Sequence, residues 1–293
     1  MSPTLLRAAP IIFVLIWSTG WVSARYGAPY ADPLTFLAIR FALAGALVTA
    51  IALASRARWP GTWRDSGHAM ASGVMLHGIY LGGVWWAIAH GLPTGVSGLI
   101  AAVQPILTAF LAPTLVGERI SGRQWLGILL GFAGIALVLE PKLAGVAPGE
   151  LSAVAGPIAV NLFGMLGVTF GSFYQKRFVA AGDLRTITAL QYLGALIVTA
   201  PAAVLLEPMR VEWNLTVALT MAWSVVALSL GAIGLLLMLI RNGAVSRAAA
   251  LIYLVPPTVA LEAYWLFGEQ LTGLQVLGMA VTSAGVALAT RKG

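Results

Sequence analysis

Residues 66–117 contain no Asp, Glu, Lys or Arg, an unbroken run of 52 positions. A water-soluble domain keeps charge on the outer face of its elements, so a run of this length has no place in one. A bilayer has a place for it, because a spanning helix needs about 20 mainly apolar residues. Two such helices and a tight turn fit into the run. Further charge-free runs lie at 151–175, 186–206, 213–240 and 270–290, with shorter ones at 8–24 and 124–139. Residues 33–55 are interrupted only by Arg40, and 248–268 only by Glu262. Over all 293 residues, 59% are hydrophobic and 9% charged, against about 25% charged in a typical soluble domain. That hydrophobicity excludes disorder as firmly as it excludes a soluble globule. The expected fold is an all-α integral membrane protein with ten transmembrane helices, near 8–25, 33–54, 69–90, 93–116, 122–139, 151–177, 186–206, 213–240, 244–267 and 272–290. No connection is long or polar enough for a soluble domain.

The net charge of +7 would suggest nucleic acid in a soluble protein. Here it sets orientation. With the N-terminus in the cytoplasm, the cytoplasmic segments hold 13 of the 17 basic residues and the outer loops hold 3, namely Arg25, Lys142 and Arg210. Arg40 lies inside a span. This asymmetry follows the positive-inside rule and predicts both termini in the cytoplasm. Arg7, an apolar run and Val22-Ser23-Ala24 imitate a cleavable signal peptide. We expect the segment to stay as the first helix, because an internal repeat needs it.

Shifted by 151 residues, the chain matches itself without gaps. Between 104–137 and 255–288 there are 14 identities in 34 positions, including Pro105 on Pro256, Gly117-Glu118 on Gly268-Glu269, and Gln124 on Gln275. Shared membrane composition accounts for Gly, Ala and Leu matches, but not for a Pro, a Gly-Glu pair and a Gln in one register. The expected units are residues 1–140 and 151–293, each a five-helix repeat within one compact membrane domain. An odd number of spans per unit forces the second into the bilayer upside down. Inverted repeats are the architecture of many secondary transporters, whose substrate site lies near the midplane between the halves.

The stretch Gly82-Gly83-Val84-Trp85-Trp86-Ala87-Ile88-Ala89-His90-Gly91-Leu92-Pro93, followed by Gln104-Pro105-Ile106-Leu107-Thr108 and Gly117-Glu118, resembles the EamA type of the drug/metabolite transporter superfamily. Trp17-Ser18, Arg40-Phe41, Pro256 and Gly268-Glu269 extend the resemblance over essentially the whole chain. It implies two inverted five-helix halves and a central cavity lined by helices 1, 3, 4, 6, 8 and 9. It also implies carrier-type movement of small metabolites, often amino-acid export. Substrates vary within the family, so the resemblance speaks to mechanism more than to cargo.

Eight residues are candidates for a substrate pathway. Trp17 and Ser18 sit near the middle of the first helix. His77, Tyr80 and Trp85 fall near one face of the third. Gln104, Asn161 and Tyr253 are polar points at membrane depth. The competing readings are an aromatic belt for Trp85, and backbone or interhelical hydrogen bonds for the polar groups. Pro105 and Pro256 share one repeat position and are read as a pair of hinges or cavity-lining kinks; a static kink is the alternative. Arg40 and Glu262 each lie about seven residues inside an outer helix end, roughly 10 Å deep. They either touch each other or separately face a cavity, with snorkelling to the headgroups as the competing reading. Gly117-Glu118 and Gly268-Glu269 read as helix ends with structural carboxylates.

The chain has no cysteine, which removes disulfides, thiol nucleophiles and Cys-ligated metals. Its three lysines, Lys142, Lys176 and Lys292, follow no phosphate-cradling loop, and His68, His77 and His90 are not at a metal-ligand spacing. We therefore expect no cofactor, no metal, no nucleic acid and no enzymatic activity. The resulting expectation is a multi-pass carrier in a bacterial inner membrane that exports neutral or aromatic amino acids. Its partners are the lipid bilayer and a small-molecule substrate, and a monomer suffices. Drug-like cations or nucleotide sugars are the alternative cargo, and a channel is the rival mechanism.

Overall fold

The computed structural model describes residues 3–27, 29–92, 97, 100–101, 103–143, 155–179, 181–242, 250–268 and 271–290. Ten helices run through them. They are α1 (Pro3–Gly27), α2 (Pro33–Ala54), α3 (Trp63–Ala89), α4 (Gln104–Val116) and α5 (Gly122–Leu143). There follow α6 (Ala155–Phe178), α7 (Leu184–Leu206), α8 (215–242), α9 (Val255–Phe267) and α10 (Gly273–Thr290). Five of the described helices, Pro33–Ala54, Trp63–Ala89, Ala155–Phe178, Leu184–Leu206 and Leu215–Leu236, are long and apolar enough to cross a membrane. Shorter apolar helices cover Ala8–Gly20, Gln104–Val116, Gly122–Val138 and Gly273–Ala289. Among the described residues, β pairing is limited to one bridge between Ala31 and Val211.

Local chemistry sets the helix ends. The Thr62, Asp183 and Asn214 side chains accept from Asp65 N, Arg185 N and Val217 N at the starts of α3, α7 and α8, satisfying amides that have no partner within the helix. At the start of α2 the cap comes from across the molecule. The Glu207 carboxylate accepts from Leu34 N, Thr35 N and Thr35 Oγ1 at 2.8, 2.8 and 2.9 Å. Gly117 and Gly268, 151 positions apart, follow α4 and α9 with φ of 67° and 66°, a left-handed geometry that glycine adopts without strain. Glu269 lies outside the described residues.

Two local details add to the sequence reading. The sequence places Pro105 and Pro256 inside helices near 93–116 and 244–267, as hinges, cavity-lining kinks or static kinks. Among the described residues, a turn at Val103 precedes α4, and a 3-10 turn, Leu251–Leu254, precedes α9. Both prolines therefore sit in the first turn of an α-helix. Proline lacks an N–H and clashes with the carbonyl four residues back, so it fits a helix start better than a helix interior. The second detail is in winding. α3 is π-helical over Val74–Ile79 and α8 over Ser224–Ala232.

The outer surface is apolar, and the buried core carries polar groups among its hydrophobic ones. Ile11, Leu43, Leu129, Phe163, Ile197 and Leu219 are exposed on the outer surface, while Ser18, Arg40, Ser72, His77, Asn161, Gln191, Ser224 and Ser229 are buried. This suits lipid, where the surface meets hydrocarbon and polar groups must find partners within the bundle.

Close packing rests on small residues. The most extensive seam joins α5 to α10. A Cβ added at Gly127 would lie 2.4 Å from Ala289 N and 2.6 Å from Gly285 O, and one at Gly134 would lie 2.8 Å from Gly278 O. The two backbones therefore nearly touch. In lipid, where no hydrophobic force draws helices together, such contact is a principal source of cohesion. α7 lies against α2 and α3, and α6 against α3. The α1–α2 and α7–α8 loops meet at one end of the bundle, where Asp32 N donates to Arg210 O at 3.0 Å. The α2–α3 and α6–α7 loops meet at the other end, where Thr186 Oγ1 donates to Arg58 O at 3.0 Å.

Candidate functional site

Four helices enclose an apolar cavity in the half of the bundle nearer the α1–α2 loop. Its wall is formed by Trp17 and Gly20 of α1, Arg40 of α2, Tyr80, Leu81, Val84, Trp85 and Ile88 of α3, and Leu228 and Ile233 of α8. The cavity volume is about 50 Å³, well below the roughly 300–1,000 Å³ of small-molecule sites, so the chamber is narrow in this conformation. The family resemblance implies lining by α4, α6 and α9 as well. Those helices supply none of the described lining, whereas α2 supplies Arg40.

The aromatic wall is built by ring contacts between helices. Trp17 lies parallel to Tyr80 with centroids 6.5 Å apart, and Phe13 packs on Trp17 at 5.1 Å. Trp85 stacks on Phe36 of α2 at 5.3 Å. Arg40 is 4% exposed, and its Nε donates to Ser229 Oγ at 2.8 Å. Ser229 belongs to the π-helical part of α8, and its carbonyl accepts from the Tyr192 hydroxyl at 2.5 Å. The guanidinium is thus held from behind by α8.

The remaining candidates lie elsewhere. Ser18, next to Trp17, is buried and donates to Glu262 Oε1 at 2.5 Å, joining α1 to α9. Glu262 Oε2 is buried without a partner. Arg40 and Glu262 therefore engage different serines, and no ion pair between them occurs among the described residues. His77 is 1% exposed and sits behind the cavity, with its ring on Tyr192 at 5.1 Å and near Phe41 at 6.3 Å. Asn161 Nδ2 donates to Ser97 Oγ at 2.8 Å. Gln104 is buried at the start of α4, and the Tyr253 ring covers Gly131 of α5. The Pro105 ring is buried, and Pro256 is described by its backbone alone. Trp17, Arg40, Tyr80 and Trp85 come together; Ser18, His77, Gln104, Asn161, Tyr253 and Glu262 are outside the described wall.

Reading residues singly missed Tyr192, Ser229 and the neighbouring Gln191. The repeat register carried the signal, because Arg40-Phe41 falls on Gln191-Tyr192 at the shift of 151. Gln191 Nε2 donates to Ser72 Oγ and to Gln175 Oε1, both at 2.8 Å.

Both His77 ring nitrogens are buried without a hydrogen-bond partner. An unpaired buried polar group costs about 1–3 kcal/mol. His77→Phe is therefore expected to hold or raise the thermal midpoint of the purified protein, by roughly 2–4 °C per kcal/mol recovered. A marked loss of stability would show that the imidazole has a partner it depends on.

A second, wider cleft opens at the α2–α3 end, lined by Arg56, Arg58, Trp59, Asp65, Asp183 and Arg185 among others. Among the described residues, no cluster of His, Asp or Glu is arranged to hold a metal ion.

A model of the EamA-like transporter family matches the chain twice, over residues 8–140 and 156–291. Two proteins of Escherichia coli (strain K12) align over nearly the whole chain. One, named uncharacterized inner membrane transporter YedA, is 26% identical over 286 residues, covering 97% of this chain and 90% of that protein. The other, named probable amino-acid metabolite efflux pump, is 24% identical over 285 residues, covering 94% and 91%. A solved crystal structure of a chain 22% identical superposes with a TM-score of 0.79 over 97% of both chains, which speaks to the fold alone.

Proposed function

The chain belongs to the EamA-like transporter family, and on that premise we propose that it is an inner-membrane secondary carrier that exports neutral and aromatic amino acids by alternating access. Its working parts in this reading are two inverted five-helix halves, residues 1–140 and 151–293, with both termini in the cytoplasm.

The cavity is the observation that carries the proposal. It combines residues of the first half, Trp17, Arg40, Tyr80 and Trp85, with Leu228 and Ile233 of the second. Its lining is apolar and aromatic, and in the carrier reading it widens to admit a hydrocarbon or aromatic side chain as the halves move. A site shared between halves opens to either side of the membrane when one half rocks against the other.

The α5–α10 seam supports the inversion. Gly127 and Gly134 of α5 fall on Gly278 and Gly285 of α10 at the shift of 151. The contacts run crosswise, with Gly127 against Gly285 and Gly134 against Gly278. Crosswise pairing of equivalent positions is the pattern a two-fold axis produces. The two matches to the family model support a duplicated chain. The paired π segments of α3 and α8 also overlap in the repeat register, and such segments recur at functional sites.

Uptake of radiolabelled amino acids into proteoliposomes, with and without a pH gradient, tests the proposal. The expected result is saturable flux of phenylalanine, tryptophan and leucine at carrier rates. No amino acid moving would defeat the cargo assignment. Flux that does not saturate would favour a channel.

A further inference from the structure

Arg40 is a buried charge with no acidic partner among the described residues. Of the five N–H donors of an arginine, only Nε has a protein partner among the described residues, Ser229 Oγ at 2.8 Å. The terminal nitrogens belong to a side chain that lines the cavity, and they are not among the fully buried orphaned groups. The guanidinium fork is therefore open to the cavity. Three other acidic groups bond elsewhere, Glu262 through one oxygen only. Glu207 caps α2 through Leu34 N and Thr35 N, Asp32 accepts from Arg210 N, and Glu262 holds Ser18. No Asp or Glu lines the cavity among the described residues. A charge at membrane depth either pairs within the protein or faces a ligand or water pathway.

The repeat shows that packing alone does not require this charge. At the equivalent position 191 a glutamine reaches a serine hydroxyl, Ser72 Oγ at 2.8 Å, as Arg40 reaches Ser229 Oγ. A neutral side chain performs the tether there. The added fork at position 40 points into a chamber walled by Trp17, Tyr80 and Trp85.

We infer that Arg40 is the anion-recognition residue of the cavity, and that its ligands carry one carboxylate on an apolar or aromatic body. The planar fork matches a carboxylate with two parallel hydrogen bonds. A single arginine balances one negative charge, which disfavours a phosphate dianion. A cationic ligand would meet an uncompensated positive charge in a poorly hydrated chamber. The inference rests on reading the cavity as the substrate site, and adds that the site selects the carboxylate rather than the amino group.

The test titrates the purified full-length chain in lipid nanodiscs, using calorimetry, with phenylalanine, 3-phenylpropionate, phenylalanine methyl ester and phenethylamine. The two acids are expected to bind about tenfold or more tighter than the ester and the amine. Arg40→Gln is expected to weaken the acids by about thirtyfold and leave the ester unchanged, with Arg40→Lys in between. Ser229→Ala loses the tether, keeps the charge, and is expected to retain the preference for acids if the glutamine variant misfolds. Equal affinity for acid and ester alongside amino-acid uptake overturns the inference and leaves the carrier standing. Acid-selective binding without transport supports the inference and sinks the carrier reading. Binding of none of the four overturns the inference together with the cavity as a ligand site.

Discussion

Gly285→Leu is expected to abolish the stable protein, and its cause lies in backbone contact rather than in lost flexibility. A Cβ at this position would lie 2.4 Å from Gly131 N, 2.6 Å from Gly127 O and 2.9 Å from Gly131 Cα. These are backbone atoms of α5, which do not rotate aside as a flexible side chain does. The helices must separate, and separation loosens the neighbouring contact of Gly134 with Gly278 and Thr282 in the same seam. Overpacking of a well-filled core already costs about 1–3 kcal/mol, and in lipid no hydrophobic gain offsets it. A loss of about 3 kcal/mol corresponds to a fall in thermal midpoint of roughly 6–12 °C. Fluorescence-detected size exclusion after heating reads this directly, and the variant is expected to give little monodisperse protein at all. Gly273→Ala on the same helix is the control, because a Cβ there meets nothing within 4 Å. If Gly285→Leu is as stable as Gly273→Ala, the seam does not hold the two helices.

Much of this architecture is legible in the spacing of charge. Burial in lipid removes charge from a whole helix, so the gaps between charged residues outline the helices directly. Residues 33–54 are predicted and found as Pro33–Ala54, 186–206 becomes Leu184–Leu206, and 272–290 becomes Gly273–Thr290. The features missed all depend on phase or on distant contacts. Helices apolar all round carry no periodic signal, so a change of winding leaves no trace in composition. His77 and Tyr80, three residues apart, belong on one face of an α-helix. The π segment Val74–Ile79 intervenes and its wider winding turns His77 towards Tyr192, leaving Tyr80 in the cavity wall. Arg40 was visible as an exception, but its partner Ser229 is 189 positions away. Glu262 and Ser18 are 244 apart. Neither pairing follows from residue type, since many serines lie at similar depth.

Gly20→Phe is expected to leave the protein folded and to stop transport. Gly20 lies in the cavity wall between Trp17 and Leu228, and a Cβ there would meet only the Leu228 methyl groups at 3.9 Å. That is ordinary contact, so a side chain can leave the helix without displacing backbone, unlike the case at Gly285. Replacing a glycine within a helix by alanine removes a propensity cost of roughly 0.5–1 kcal/mol, of which phenylalanine recovers part. A phenyl ring growing from this position occupies the space facing Tyr80 and Trp85, where the cargo's own side chain would lie. Proteoliposome uptake is expected to fall at least about hundredfold, equivalent to roughly 2.7 kcal/mol of lost binding, while the thermal midpoint stays within a few degrees of the parent. Gly20→Ala should transport normally and Gly20→Val should fall between, because obstruction scales with the volume added to the chamber. Folded Gly20→Phe protein that carries substrate at the parental rate would show that the pathway runs elsewhere in the bundle. If the phenyl variant fails to fold, the Ala-to-Val step gives the same decision, with unchanged uptake across it counting against the cavity.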